Sequence, residues 1–189
     1  MLKRVIPLIL AVLFIATHAF AAPTDDLRKV VDEVVRIVSD KDMKSNPQKR
    51  RVALRKSIGS LFDYEEMSKR SLAKHWNART VDEKKQFVDL FSNLLEKTYA
   101  NKIESYNNEK FVYVRERIDG KYAEIKSKVI TAKQDEYSLD YRMINKDGKW
   151  VVYDVVIEGV SLVANYRGQF GKIINTNGYN ELVKKLQEK

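Results

Sequence analysis

The spacing of apolar residues along the chain changes its period at two points. Before residue 110 apolar side chains recur every three or four residues, which is the period of one face of an α-helix. After residue 110 they alternate with polar side chains, as in a half-buried β-strand. Helical spacing returns after Gly159. The pattern therefore predicts an α+β fold, with helices at both ends of the chain and a sheet between them.

Three helices are predicted at the beginning of the chain, each behind a capping residue. The first begins at Thr24, the second at Asn46 with Pro47 in its first turn, and the third at Asp63. The first helix carries an apolar stripe, which consists of Leu27, Val30, Val31, Val34 and Val38.

The fourth predicted helix spans residues 80–106 and has an unusually aromatic face. Thr80 and Glu83 have the spacing of a capping box, which is the clearest helix start in the chain. Two interpretations of the aromatic face stay open, ordinary core packing and the wall of a ligand pocket. The face comprises Phe87, Phe91, Leu94, Leu95, Tyr99, Ile103 and Tyr106.

Turn signals then join about four strands into a twisted antiparallel meander. Asp119-Gly120 is a strong hairpin signal, and residues 145–148 form a second turn. The strand after that turn is apolar on both faces apart from Asp154, so we expect it inside the sheet with helices covering it. After Gly159 we predict one helix and then a short amphipathic helix at the end of the chain. One face of the third strand carries Tyr137, Leu139, Tyr141 and Met143.

The first 21 residues have the pattern of a cleavable export signal. Lys3 and Arg4 precede an apolar stretch of roughly a dozen residues, and residues 19–21 read Ala-Phe-Ala, a small-x-small cleavage site. The apolar stretch is shorter than the roughly 20 residues that span a bilayer. We therefore expect cleavage after Ala21, a periplasmic location, and one domain made of residues 22–189.

The chain is basic, with 35 Lys and Arg against 26 Asp and Glu and a net charge of +9. The cations crowd into residues 44–55, 69–74 and 184–189. Such surfaces attract phosphates, acidic proteins or anionic membranes. Nucleic acid is a poor candidate for an exported protein, so we expect docking to acidic partner surfaces. An ordinary solvated surface is the alternative.

Catalytic and metal-binding patterns are sparse. The chain has no Cys and only two His, His18 in the predicted signal and His75, so no metal and no cofactor are predicted. Asp154 stands among valines, where an unpaired charge would be costly. It can form a structural ion pair with Arg142 or Arg167, or it can be the general base of a steroid-isomerase-like, cone-fold enzyme. We expect a protein that is not an enzyme.

Three segments resemble the MlaC family, the periplasmic phospholipid-binding components of the Mla (maintenance of lipid asymmetry) transport system, also called toluene-tolerance auxiliary proteins. They read FDYEEMSKRSLAKHW, FVDLFSNLLEKTYANKIESY and YSLDYRMINKDGKWVVYDVVIEGVSLVANYRGQF. The most specific part is residues 150–170, and the resemblance covers essentially the whole chain after the signal.

The resemblance implies a fold distantly similar to the cone of nuclear transport factor 2, an NTF2-like fold. It also implies a monomeric carrier of glycerophospholipid as cargo. Its partners would be an outer-membrane lipoprotein–porin complex and an inner-membrane ABC transporter with an MCE-domain ring. The residues expected around the acyl tails are Phe91, Leu95, Tyr99, Ile103, Tyr141, Met143, Val152, Val160, Leu162, Val163 and Tyr166.

Overall fold

Seven α-helices and five β-strands make up the part of the chain that the computed structural model describes, residues 22–188. The predicted signal peptide, residues 1–21, lies outside the described residues. In chain order the elements are α1 (Pro23–Ser39), α2 (Lys41–Ser45), α3 (Pro47–Gly59), α4 (Tyr64–Leu72), α5 (Val81–Glu104), β1 (Lys110–Asp119), β2 (Tyr122–Ile130), β3 (Glu136–Lys146), β4 (Lys149–Ile157), β5 (Val160–Ser161), α6 (Leu162–Asn177) and α7 (Tyr179–Gln187). The predicted α+β class is confirmed. Between residues 22 and 188 no helix is both long enough and apolar enough to cross a membrane.

The sheet is an antiparallel meander in which the spatial order of the strands equals their order in the chain. β4 lies inside the sheet, between β3 and β5, as predicted. The fifth strand was not predicted, because two residues are too few for a pattern of alternation. It exists because Glu158 and Gly159 adopt positive φ angles of 48° and 78° and turn the chain back, so that Ser161 pairs with Val156.

The turn between β3 and β4 follows directly from its sequence. Asp147 and Gly148 have φ angles of 53° and 88°, so both occupy the left-handed region that a two-residue hairpin requires. The Gly148 amide donates a hydrogen bond of 2.9 Å to Oδ1 of Asn145. The hairpin places Lys146 opposite Lys149 and thereby fixes the register of the two strands.

The predicted starts of three helices are confirmed, and one is wrong. The side chains of Asn46, Asp63 and Thr80 cap α3, α4 and α5. Thr24 does not cap α1, because Pro23 already occupies the first helical turn. The Thr24 hydroxyl instead donates a 2.5 Å hydrogen bond to Glu116 Oε2 and ties α1 to strand β1.

Two large hydrophobic clusters form the core, and a small third cluster joins α1 to α3. The aromatic cluster lies among α4, α5, α6 and α7 and is centred on Phe87, Phe91, Tyr166 and Phe170. The sheet cluster joins α1 and the start of α6 to one face of the strands and includes Leu27, Ile125, Met143, Val152 and Leu162.

The short strand β5 pairs only with the end of β4, at Val156 and Ile157. The segment between α3 and α4 binds to the part of the same β4 edge that β5 leaves free. The Val152 amide donates to the Leu61 carbonyl, and the Asp63 amide donates to the Val152 carbonyl, both at 2.8 Å. Phe62, between them, packs against both large clusters. This contact fixes α3 and α4 relative to the sheet, and with them one side of the site described next.

Candidate functional site

An apolar cavity of about 480 Å³ lies between α1, α3, α5 and one face of the sheet. Its volume falls within the range of ~300–1,000 Å³ that is usual for small-molecule sites. Twenty-five of its lining residues are apolar or tyrosine, and six are charged. Such a cavity suits a ligand with a large hydrocarbon part and a polar end.

Helix α1 forms one wall with its entire apolar stripe. The side chains recur three or four residues apart, so they project from the same face of the helix. Sequence reasoning recognised this stripe but assigned it no part in the site. The valines of its middle are only half-buried, because they face the cavity. The stripe consists of Leu27, Val30, Val31, Val34 and Val38.

The sheet forms the floor of the cavity with alternate residues of its strands. Tyr137, Leu139 and Tyr141 line the cavity from the predicted common face of β3. Burial raises the pKa of the Tyr141 phenol well above its usual range, so this group is neutral at physiological pH. Sequence reasoning missed the other floor residues, because it did not show which strands border the cavity. They are Phe111, Val129, Val155 and Ile157.

Five of the eleven residues predicted to surround the acyl tails line this cavity. Leu95, Tyr99 and Ile103 belong to the second half of α5, Tyr141 to β3, and Leu162 to the first turn of α6. Their contact with a ligand stays a prediction.

Phe91, Val163 and Tyr166, which were also predicted around the acyl tails, do not line this cavity. All three belong to the aromatic cluster. The Phe91 ring lies edge-on to Tyr166, with centroids 5.1 Å apart, and edge-on to Phe170 at 5.4 Å. The first half of α5 therefore turns its aromatic face toward α6 and α7, and core packing is its structural role. A helical stripe reveals which residues share a face but not what that face contacts.

Three further predicted residues also lie away from the cavity. Met143 and Val152 are fully buried in the sheet cluster together with Trp150 and Leu61, and neither lines the cavity. Val160 belongs to the unpredicted strand β5 and is 56% exposed.

Asp154 has a structural role that its surroundings define. Its Oδ2 accepts hydrogen bonds from Arg142 at 3.0 Å and from the Ser161 hydroxyl at 2.6 Å, and its Oδ1 accepts from the Val163 amide at 3.0 Å. The expected ion pair is thus formed with Arg142, whereas Arg167 donates to a backbone carbonyl of α4. Asp154 is only 2% exposed and does not line the cavity.

Within residues 22–188 no three His, Cys, Asp or Glu side chains are grouped so that they could hold a metal ion.

An antiparallel meander cupped by helices around an apolar cavity has the form of a small binding protein. The sequence model of the MlaC protein family matches residues 28–188, and the chain belongs to this family. It is 28% identical to toluene tolerance protein Ttg2D of Pseudomonas putida over 98% of this chain and 87% of that protein. It is 26% identical to the intermembrane phospholipid transport system binding protein MlaC of Haemophilus influenzae, over 77% and 71% of the two chains.

A solved structure has the same fold. The phospholipid-binding protein of Ralstonia solanacearum, determined in complex with a phospholipid, superposes with a TM-score of 0.81 at 26% identity. The match covers 89% of this chain and 96% of the Ralstonia protein.

Proposed function

We propose that this chain is a periplasmic carrier that holds the acyl tails of a glycerophospholipid in the cavity between α1, α5 and the sheet. The observation that carries the proposal is the cavity itself. Its walls are apolar, and its charged lining residues belong to α3, to α5 and to the segment just after α5, which contributes Glu109. The Ralstonia protein of the same fold, solved with a phospholipid, supports it.

The free energy of burying the acyl tails favours a protein that exchanges its lipid with membranes over one that retains it. Removing a CH₂ group from water contributes ~0.8 kcal/mol, so free tails in water are strongly disfavoured. A bilayer and an apolar cavity both provide this burial, and exchange between them is close to neutral. Leu95, Val31 and Leu139 offer such a surface without a charge. A carrier of this kind releases its cargo to whichever membrane complex accepts it.

The carrier would shuttle between the inner-membrane ABC transporter with its MCE-domain ring and the outer-membrane lipoprotein–porin complex. The chain contains no Gly-x-x-x-x-Gly-Lys-[Ser/Thr] nucleotide-binding motif, so the direction of transport must come from these partners. Docking would use the basic surface of α2 and α3. Lys44, Lys49 and Lys56 form no ion pair within residues 22–188 and are exposed, so they remain available to an acidic partner.

Extraction of the purified protein tests the cargo directly. Protein prepared from the periplasm and extracted with organic solvent should yield roughly stoichiometric diacyl phospholipid by mass spectrometry. An empty protein that also takes no phospholipid from vesicles contradicts the proposal.

A cavity-filling substitution tests the location of the tails. Val31 lines the cavity from α1 and is half-buried, so Val31→Trp fills empty space rather than packed core. We expect a folded protein that has lost most of its lipid. Val183→Trp is the matched control, because Val183 is a half-buried helical valine that packs on the aromatic cluster away from the cavity. Equal lipid loss in both variants would place the tails elsewhere.

No observation favours a second function. The cone-fold enzyme would need Asp154 as a base, and this carboxylate faces Arg142 and the start of α6 instead of the cavity.

A further inference from the structure

The charged residues that line the cavity are confined to one region. Two of them belong to α3, three to α5, and Glu109 follows α5 closely. Arg51 and Arg55 line the cavity although their side chains are 58% and 62% exposed. The cavity therefore meets water between α3 and α5, and we call this opening the mouth.

The carboxylates of the mouth do not neutralise its cations equally. Glu104 is only 13% exposed and pairs closely with Arg50, whose side chain is also largely buried and does not line the cavity. Arg51 reaches the same carboxylate only at 3.5 Å through its Nε. Most of the donors of the Arg51 guanidinium therefore point to no carboxylate within residues 22–188.

Arg55 and Lys102 add positive charge next to Arg51. Arg51 and Arg55 are four residues apart on one helix and thus share a face, where their like charges repel each other. Arg55 Nε donates to Glu96 at 2.6 Å, and its Nη2 group contacts the same carboxylate and donates to Asn93 at 2.9 Å, so its Nη1 group is the one left for a further anion. Lys102 is exposed and lines the cavity, and its ammonium group lies 5.8 Å from the centroid of the Tyr137 ring.

We propose that Arg51 and Arg55, assisted by Lys102, bind the phosphodiester group of the lipid whose tails fill the cavity. The inference rests on the proposed function and specifies its head-group contact. An arginine guanidinium binds two phosphate oxygens through parallel hydrogen bonds, and a phosphate between two arginines relieves their repulsion. The contact makes the anionic phosphodiester, rather than the tails alone, the feature that the protein selects.

The test compares two lipids that share their tails. Protein is equilibrated with vesicles containing equal amounts of dioleoyl phosphatidylglycerol and dioleoylglycerol, which lacks the phosphate, and the bound lipids are quantified by mass spectrometry. We expect the double variant Arg51→Gln/Arg55→Gln to lower the ratio of bound phosphatidylglycerol to bound dioleoylglycerol by about three- to tenfold, as expected for half-exposed charged contacts.

Variants of the carboxylate partner separate phosphate binding from a structural role. Arg55→Gln and Glu96→Gln both break the ion pair between these two residues. Glu96→Gln, however, releases Arg55 for the phosphate, so it should raise the ratio of bound phosphatidylglycerol to bound dioleoylglycerol. If the pair only holds α3 to α5, Glu96→Gln and Arg55→Gln change the binding of both lipids in the same direction, and the inference is wrong. Lys85→Gln is the matched control, because this exposed cation of α5 does not line the cavity and should leave the ratio unchanged.

Two further outcomes are decisive. Millimolar inorganic phosphate should not displace phosphatidylglycerol, because the tails hold the phosphodiester at the mouth; displacement would assign the arginines to free phosphate. Wild-type protein that binds neither lipid refutes the proposed function itself. Wild-type protein that binds both lipids, with a ratio indifferent to all substitutions, refutes only the head-group contact.

Discussion

Replacing Asp154 by Asn should destabilise the protein strongly although it removes no atom from the core. The carboxylate accepts three hydrogen bonds, from Arg142, Ser161 and the Val163 amide, and is 2% exposed. Helix α6 has no acidic residue in its first turn, so Asp154 of β4 supplies the negative charge that its N-terminus favours. The Asp154 side chain thus joins β4 to β3, to β5 and to the start of α6.

The expected magnitude follows from what Asn can still accept. Its amide oxygen can keep the bond from the Val163 amide, but its NH₂ group then meets the donors of Arg142 and Ser161. Hydrogen bonds to a charged group contribute about 1.5–3 kcal/mol each. The Arg142 side chain is 41% exposed and can turn to water, which reduces the loss. We expect the free energy of unfolding to fall by about 2–3 kcal/mol, which corresponds to about 4–12 °C in Tm for a chain of this size.

Urea unfolding followed by far-UV circular dichroism measures this change. Asp89→Asn is the control, because Asp89 is an exposed acid of α5 whose side chain forms no ion pair within residues 22–188, and surface changes of this kind stay within about 0.5 kcal/mol. Lipid content should be unchanged at temperatures where the variant is folded. A free energy of unfolding within 0.5 kcal/mol of the wild type would refute the structural role, and lost activity in a protein of unchanged stability would favour a catalytic one.

Two predictions concern solution conditions. Burial raises the pKa of Tyr113 to about 12, so its phenol stabilises the fold below the unfolded pKa of about 10, and this contribution is lost as the pH rises through 10 toward 12. Tyr113→Phe should therefore weaken the fall in urea midpoint between pH 9 and 12, and an identical fall in both proteins would contradict this. Rising salt should weaken docking to the membrane-anchored partners much more than it weakens lipid retention, because docking is electrostatic whereas the lipid is held chiefly by its buried apolar tails. Charge reversal at Lys44, Lys49 and Lys56 should weaken docking similarly in a pull-down, and docking indifferent to both changes would make the basic surface a solubility feature.

Local features of the fold could be predicted because short-range chemistry determines them. The caps at Asn46, Asp63 and Thr80, and the hairpin at residues 145–148, depend on a few neighbouring residues. The contacts of each face depend instead on tertiary packing. The aromatic face at Phe91 was therefore placed at the cavity although it packs on α6 and α7.

The opposite error occurred for α1, whose stripe lines the cavity but was not predicted to do so. The reason is again that tertiary packing decides what a helix face contacts. The valine stripe of α1 was recognised in the sequence, but nothing in a helical period distinguishes a stripe that meets packed side chains from one that meets a cavity. The mouth was missed too, because the cations of residues 44–55 were interpreted only as an outer docking surface. Their pairing with Glu96 and Glu104, some fifty residues later, is visible only in three dimensions.

The bond between Thr24 and Glu116 has a consequence for how the chain reaches its native state. The two residues are 92 positions apart, whereas the hairpins of the meander pair neighbouring segments. Contacts between distant residues form late, because long loops must close first. The docking of helix α1 onto the sheet should thus follow the assembly of the meander, whereas its local contact with α3 can form earlier. A chain emerging N-terminus first displays the stripe around Val31 to water before its covering strands exist, which makes the newly synthesised protein a natural client of holding chaperones.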